Sequence, residues 1–419
     1  MYLYGGKTMK ILHLIGCGLG SGAGRGAYWL HKGLLELGVD SHVLTSSKET
    51  YGDKTVTSIT SDTKGKLLTV ARGRADASIN RLYRKRQRVT FSPGLFGHDF
   101  TRTDEYKETD IVHLHWVCGG LVNVRHLAKV DKPIIWTVRD MWPMTGGCHY
   151  SMDCDEYLSS CGRCPQLGSR QIYDLSSYGL RRKSRYVPRT TILVGISHWL
   201  SECARRSALF QGFDVRTIHN NVSTVEFFPV DKATAREVLG LPQNRRIILA
   251  GAQNLNSVYK GFGKYLEALR DIPPEHLLLF FGKLDSATVA DLGRDYVSLG
   301  FLKDTVSLRL AYSAADVFVA PSLMEAFGKT LAESLACGTP VVCFDATGPQ
   351  DIVTHKIDGY KAIPFEASDL ASGIGWILDH PAPQEIARNA RQKVLDNFET
   401  NRVAGQYLAL YREVPNSAL

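Results

Sequence analysis

The 419 residues contain no stretch approaching the run of about 18 apolar residues that a membrane-spanning helix needs. A secretory leader, with its apolar core and cleavage site, is also missing, so the chain reads as cytoplasmic. Met1 to Thr8 read as an extension ahead of a first strand that begins near Met9-Lys10. There are no internal repeats and no low-complexity tract, which excludes repeat arrays and disordered linkers. No Asp-x-Asp stands at the end of a predicted strand, so a ready carboxylate pair for a divalent metal is absent. Hydrophobic content of 44% and charged content of 22% fit an ordinary globular enzyme, and the length suggests two domains.

Acidic residues are outnumbered, 42 against 50 basic, and the net charge of +8 is locally distributed. Arg72, Arg74, Arg81, Arg84, Lys85, Arg86 and Arg88 face a single acid, Asp76, in a stretch read as helical from Lys66 to Val89. A second cluster is Arg181-Arg182-Lys183-Ser184-Arg185. Such patches attract polyanions or anionic lipid, or they form a solvated face. A nucleic-acid binder built on them is disfavoured, because aromatic residues do not alternate with the arginines as a single-strand groove requires.

Predicted strands and helices alternate throughout, which argues for parallel sheets. Strands are expected at 10–15, 40–45, 110–115, 133–138 and 191–196, then at 246–251, 276–282, 296–300, 316–320 and 339–344, each of the later set paired with a helix. Two helices close the chain, near 384–398 and 401–412. The fold class is α/β, with two doubly wound halves facing across a cleft. The first half spans residues 1–195 and the second 196–398, with the helix at 399–419 returning to the first.

After the first strand, glycine fills every second position from Gly16 to Gly26. Glycine lets a backbone approach a ligand or adopt positive φ, which makes Gly20 and Gly22 candidate ligand contacts. A nicotinamide-dinucleotide site would need an acid ending the second strand, and Thr45-Ser46-Ser47-Lys48 offers none. In Asp110–Trp116, alternation puts His113 and His115 on one face, with His115 at the carboxyl end.

The densest signal is Pro321 to Pro340. A buried strand runs into Pro321-Ser322, a loop carries Glu325, and a helix starting near Gly328 carries Glu333. Two carboxylates with seven residues between them thus sit where a strand hands over to a helix N-terminus. In open α/β sheets ligands bind at that edge, and the free amides there suit a phosphate. This context (E-x-F-G, then E-x-x-A-C-G-T-P-V-V) resembles the family-4 retaining glycosyltransferases of the GT-B fold, and the likeness extends from Lys10 to about Arg412.

The resemblance implies a nucleotide-diphosphate sugar as donor, bound by the second half, and a glycan or lipid-linked acceptor bound by the first. It implies surface-polysaccharide assembly, no catalytic metal and no nucleic acid. By the motif, Glu325 grips sugar hydroxyls and Glu333 the ribose. The amides near Phe327, Gly328 and Lys329 meet the diphosphate, as does Lys260. His115 contacts the donor sugar, while Gly282 and Leu302 border the base. The family's usual arginine before the lysine is missing from Ala252 to Tyr259. The basic patch fits docking at the inner face of an anionic membrane. A GT-B phosphorylase, which would need a pyridoxal-phosphate lysine, is the rival reading; a zinc-containing nucleic-acid binder is a more distant one.

Nine cysteines are present, and four of them cluster between 144 and 167: Cys148, Cys154, Cys161 and Cys164. Their C-x5-C and C-x-x-C spacings admit a closed structural zinc shell, disulfides or free thiols. The segment Thr145 to Leu167 resembles an insert in an exopolysaccharide and capsule subgroup of the same family. Trp136–Trp142, just before it, is expected to shape the acceptor side.

Overall fold

In the computed structural model the described residues are 3–4, 7–61, 63–285 and 293–414. They divide into two compact units, Met1–His219 with Val403–Leu419, and Asn220–Arg402.

The first unit is built on seven parallel strands: β1 (Lys10–Ile15), β2 (Asp40–Thr45), β3 (Val56–Ser58), β4 (Ile111–Leu114), β5 (Ile134–Val138), β6 (Ile192–Gly195) and β7 (Val215–Thr217), in the order β3-β2-β1-β4-β5-β6-β7. The order reverses beside β1, and in doubly wound sheets that reversal opens a crevice at the strand carboxyl ends. The expected boundary at 195 lay too early, because β7 extends this sheet and carries the unit to His219. A three-residue strand reading Val-Arg-Thr is too short to register as a period.

Helix α1 (Gly22–Glu36) begins at Ser21, whose hydroxyl accepts from Gly24 N–H at 3.3 Å, and ends before Gly38 at φ 77°. Helix α2 (Thr63–Ile79) is shorter than the predicted 66–89. Asp76 is buried and accepts from the N–H groups of Gly94, Leu95 and Phe96, and the Asn80 amide donates to Phe91 O at 2.7 Å. Those bonds tie the helix end to a neighbouring loop, so Arg84, Lys85, Arg86 and Arg88 stand on exposed turns rather than on a helix. The second basic cluster is not one open patch either. It lies on α4 (Leu175–Tyr186; the five-residue α3 is Asp104–Glu108), where Lys183 is fully buried and Arg182 donates to Asn123 Oδ1 at 2.8 Å.

The second unit repeats the plan with β8 (Ile247–Asn254), β9 (Leu277–Lys283), β10 (Tyr296–Ser298), β11 (Val317–Ala320), β12 (Val341–Phe344) and β13 (Gly359–Ala362), ordered β10-β9-β8-β11-β12-β13 and all parallel. The helix expected directly after β9 falls largely on residues outside the described set. Ile248, Ala250, Val317, Val319 and Val342 are fully buried on the central strands, the near-continuous apolar run that a two-sided parallel sheet demands. Both units are therefore the doubly wound α/β domains read from the sequence.

Among the remaining helices, α5 (His198–Arg206) belongs to the first unit. The second unit holds α6 (Lys232–Val238), α7 (Phe262–Ala268), α8 (Thr305–Ala314), α9 (Lys329–Ala336), α10 (Ala367–Leu378) and α11 (Pro383–Asn397). The last helix, α12 (Thr400–Glu413), buries Val403, Tyr407, Leu408 and Tyr411 in the core of the first unit. Among the described residues, no helix is long and apolar enough to cross a membrane.

Candidate functional site

At the carboxyl ends of β8 and β11, two loops lock together. The turn Val258–Lys260 ends at Gly261, with φ 63°, where a Cβ would stand 1.9 Å from Pro321 O. Only glycine fits that approach. Tyr259 O accepts from Leu323 N–H at 2.9 Å, which fixes the Glu325 loop against the Lys260 turn. Lys260 Nζ then donates directly to Glu325 Oε2, with both side chains mostly buried. The main chain of Glu325 is held from the other side. Its N–H donates to Thr347 Oγ1 at 3.2 Å and its carbonyl accepts from Gly348 N–H at 2.9 Å. Thr347 takes φ 54°, a conformation a β-branched residue rarely adopts, and a Cβ on Gly348 would meet Ala326 O at 2.5 Å. The loop that presents Glu325 is over-determined, as a positioned functional side chain requires.

Gly328, at φ 107°, turns the chain into α9. The α9 N-terminus therefore points its first amides toward the strand edge that carries Lys260 and Glu325, the arrangement that receives a phosphate. Glu333, one turn further, is 1% exposed, and its Oε2 accepts from the Tyr312 hydroxyl at 3.2 Å. Phe327 is buried against Phe398. Gly282, at φ 104°, is the next-to-last residue of β9, with its N–H on Gly300 O at 2.7 Å, while Leu302 follows the exposed Phe301 on the next turn. Lys260, Gly282, Glu325, Phe327, Gly328, Lys329 and Glu333 thus all lie at the carboxyl-end side of one sheet, in one unit.

The first unit holds a different constellation. His115 was expected at the carboxyl end of its strand in contact with a donor sugar, yet it is 2% exposed. Its Nε2 pairs with His13 Nδ1 at 2.9 Å, its Nδ1 accepts from Arg139 at 3.3 Å, and its ring stacks on His13 with centroids 5.2 Å apart. Three histidines on adjacent strands fill the tip among themselves, which leaves no open ring. His113 bonds Tyr411 at 2.6 Å and Thr137 at 2.7 Å, and Thr137 bonds Tyr407 at 2.8 Å, so α12 is stitched to β4 and β5. Burial holds His13, His113 and His115 well below the usual imidazole pKa, and lowers His31 to about 4. His13 and Arg139 were invisible as partners in the sequence; their roles depend on strand register.

In the glycine turn, none of the residues Gly16 to Gly26 takes positive φ, contrary to one reason given for glycine there. Gly16 and Gly24 are required by close approach, since a Cβ would meet Cys118 O at 2.4 Å and Gly18 O at 2.1 Å. Gly18 and Gly22 are exposed with nothing within 4 Å of a Cβ, while a Cβ on exposed Gly20 would lie 3.1 Å from the Tyr51 hydroxyl. Beside this turn is a group that sequence reasoning missed. Asp140 Oδ2 accepts from His149 Nδ1 at 2.6 Å and from Trp116 Nε1 at 2.9 Å, and His149 Nε2 meets Ser92 Oγ at 3.0 Å.

Residues 231–393 match the family model described as glycosyl transferases group 1. The matched stretch lies within the second unit, which is similar to that family. Among curated relatives, an uncharacterized glycosyltransferase of Methanocaldococcus jannaschii is 27% identical over 217 residues, 47% of this chain and 54% of that protein. The putative colanic acid biosynthesis glycosyl transferase WcaC of Escherichia coli is 23% identical over 61% of this chain and 63% of its own length. The match thus spans only about half to two thirds of these relatives. The solved structure of Anabaena HepE in complex with UDP and glucose superposes with a TM-score of 0.65 at 18% identity, covering 96% of this chain and 99% of that one. The paired doubly wound domains are those of the GT-B fold.

Proposed function

We propose that the protein is a retaining glycosyltransferase that moves a sugar from a nucleoside-diphosphate donor to a glycan or lipid-linked acceptor in surface-polysaccharide assembly. The observation that carries this reading is the Lys260–Glu325 pair at the strand edge, beside the Gly328 turn into α9. Supporting it are the family match over the same residues, the UDP and glucose named for HepE, and the colanic acid role named for WcaC.

In this reading the diphosphate lies against the first amides of α9 and the Lys260 ammonium. Those groups stabilise the charge that grows on the departing phosphate oxygen. Glu325 binds hydroxyls of the transferred sugar and orients Lys260. Glu333 takes the ribose through a small turn of its buried carboxylate. The acceptor hydroxyl attacks the face that the diphosphate leaves, and the departing oxygen takes its proton, which retains the anomeric configuration. His115 is a positioning residue behind the glycine turn of the first unit, where the acceptor binds. The exposed Leu67 and Leu82 among exposed Lys64, Lys66, Arg81, Arg84, Lys85 and Arg86 form the surface that docks on anionic membrane carrying a lipid-linked acceptor.

A thermal-shift panel of nucleoside diphosphates and their sugars tests the donor site. At least one raises the melting temperature of the wild type, and Glu333→Ala abolishes that shift. A retained shift in this variant moves the ribose role elsewhere, and no shift with any nucleotide overturns the reading.

A further inference from the structure

The segment from Trp142 to Asp174 has almost no regular structure, only short helical turns at Trp142–Met144 and Glu156–Leu158. It is nevertheless held in one place. Gly162 N–H donates to Ser176 Oγ at 3.0 Å, Cys164 N–H to Asp174 Oδ2 at 2.9 Å, and Arg163 N–H to Gln171 O at 2.7 Å. Gly146 packs so closely on α4 that a Cβ would lie 2.1 Å from Ser176 O. A loop of this length with few apolar anchors needs some other source of order.

The four clustered cysteines line a single cavity. Its volume of about 20 Å³ admits one water-sized occupant. None of the four forms a disulfide; Cys161 and Cys164 are buried, and Cys148 and Cys154 half-buried. The Cys161-Gly162-Arg163-Cys164 turn takes positive φ at three successive residues, 52°, 122° and 45°. Two of these are not glycine, so the turn holds strained backbone where both cysteines line the cavity.

Main-chain N–H groups are aimed at the sulfurs, Gly146 at Cys161, Glu156 at Cys154, and Gln166 with Leu167 at Cys164. Donors of that kind supply the outer shell of a metal-bound sulfur, while burial pushes all four free thiols up. A further positive group lies on the inner side. Lys183 is fully buried, with Nζ donating to Thr145 O at 2.8 Å, close enough to Cys148 and Cys161 for their charges to interact.

We infer that Cys148, Cys154, Cys161 and Cys164 hold one structural zinc ion. Four thiolates fill a tetrahedral shell and leave no position for substrate. The tetrathiolate centre carries a net charge of −2, which the N–H donors and the Lys183 ammonium offset. No three of the sulfurs lie mutually within 4.8 Å. Binding therefore draws the half-buried Cys148 and Cys154 arms in toward the Cys161–Cys164 turn. Cys148 is bonded in sequence to His149, whose ring is paired with Asp140 and whose carbonyl accepts from Met141 N–H at 3.0 Å. The ion thereby fixes the Asp140–His149–Trp116 group beside the glycine turn. This inference stands apart from the proposed reaction.

The test is metal analysis by plasma mass spectrometry of the whole chain, purified without chelator. One zinc per chain is expected, released by titration with a mercurial as four thiols are consumed. Replacement by cobalt gives the visible absorption of a tetrahedral thiolate site. Cys161→Ser with Cys164→Ser loses the metal. Should that variant fail to fold, the metal content and cobalt spectrum of the wild type decide alone. Metal-free protein whose four thiols react freely, a peptide map with these cysteines in disulfides, or iron in place of zinc each overturns the inference.

Discussion

Lys260 Nζ donates to Glu325 across 65 residues of chain, and the pair closes the carboxyl edge of the second sheet. In the proposed reaction a bound diphosphate competes with Glu325 for that ammonium, so Lys260 would act in the transition state through a charge the free protein already holds in position. Lys260→Ala is expected to lower kcat by about 10²–10³, the loss typical of removing one preorganised donor to developing charge. Lys260→Arg restores part of it. Steady-state rates at saturating donor measure this, and an unchanged kcat removes Lys260 from the reaction.

The histidine network predicts acid sensitivity in the first unit. His13, His31, His113 and His115 have folded pKa values below the reference of 6.5 because burial disfavours the cation. The unfolded chain therefore takes up protons near 6.5 that the folded chain refuses. Their neutral burial is fully tolerated above that pH, and stability falls as pH drops below it. Each histidine contributes up to about 1.4 kcal/mol per pH unit in that window, for His31 down to about 4. Trp29, Trp116, Trp136, Trp142 and Trp199 lie in the first unit and only Trp376 in the second, so tryptophan fluorescence in urea follows the unit concerned. A midpoint that does not fall between about pH 7 and pH 5 contradicts neutral burial.

The strands were legible because buried parallel strands read as apolar runs, and Lys10–Ile15 and Asp40–Thr45 match the expectation residue for residue. The Glu325 to Glu333 edge was legible because strand, loop and helix start are contiguous in sequence. The His13–His115 bond was not, because 102 residues separate the partners and only the register of β1 against β4 joins them. The same holds for Asp140 with His149 and Trp116, which meet through loops without periodicity. Composition placed a helix through Arg88, but the buried Asp76 and Asn80 contacts ended it near Ile79, a tertiary override that no local propensity encodes.

The truncated α2 changes the form of the proposed membrane docking rather than its chemistry. Leu82 is 80% exposed and Leu67 69%, an unusual display of leucine among cations. Flotation with vesicles containing anionic lipid should recover the protein, and zwitterionic vesicles should not. Leu82→Asp combined with Arg86→Glu should abolish recovery while leaving the melting temperature within about 1 °C, since both side chains are exposed. Equal recovery on the two vesicle types refutes the docking surface.

Two classes of glycine in the first turn make the most selective prediction. Gly16→Ala and Gly24→Ala drive a Cβ into a backbone carbonyl, so both variants are expected to lose folding stability. Gly22 is exposed, has ordinary backbone angles and meets nothing within 4 Å, and it opens α1. Folding alone gives it no reason to be glycine, and alanine there favours the helix by up to about 1 kcal/mol. If the turn lies against the acceptor, the added methyl intrudes on that contact, and a loss of about 1.4 kcal/mol appears as a tenfold fall in kcat/KM for acceptor. Gly22→Ala is thus expected to melt no lower than the wild type and to transfer at least about tenfold more slowly. A variant with wild-type rates separates the turn from the ligand and leaves its exposed glycines to solvent.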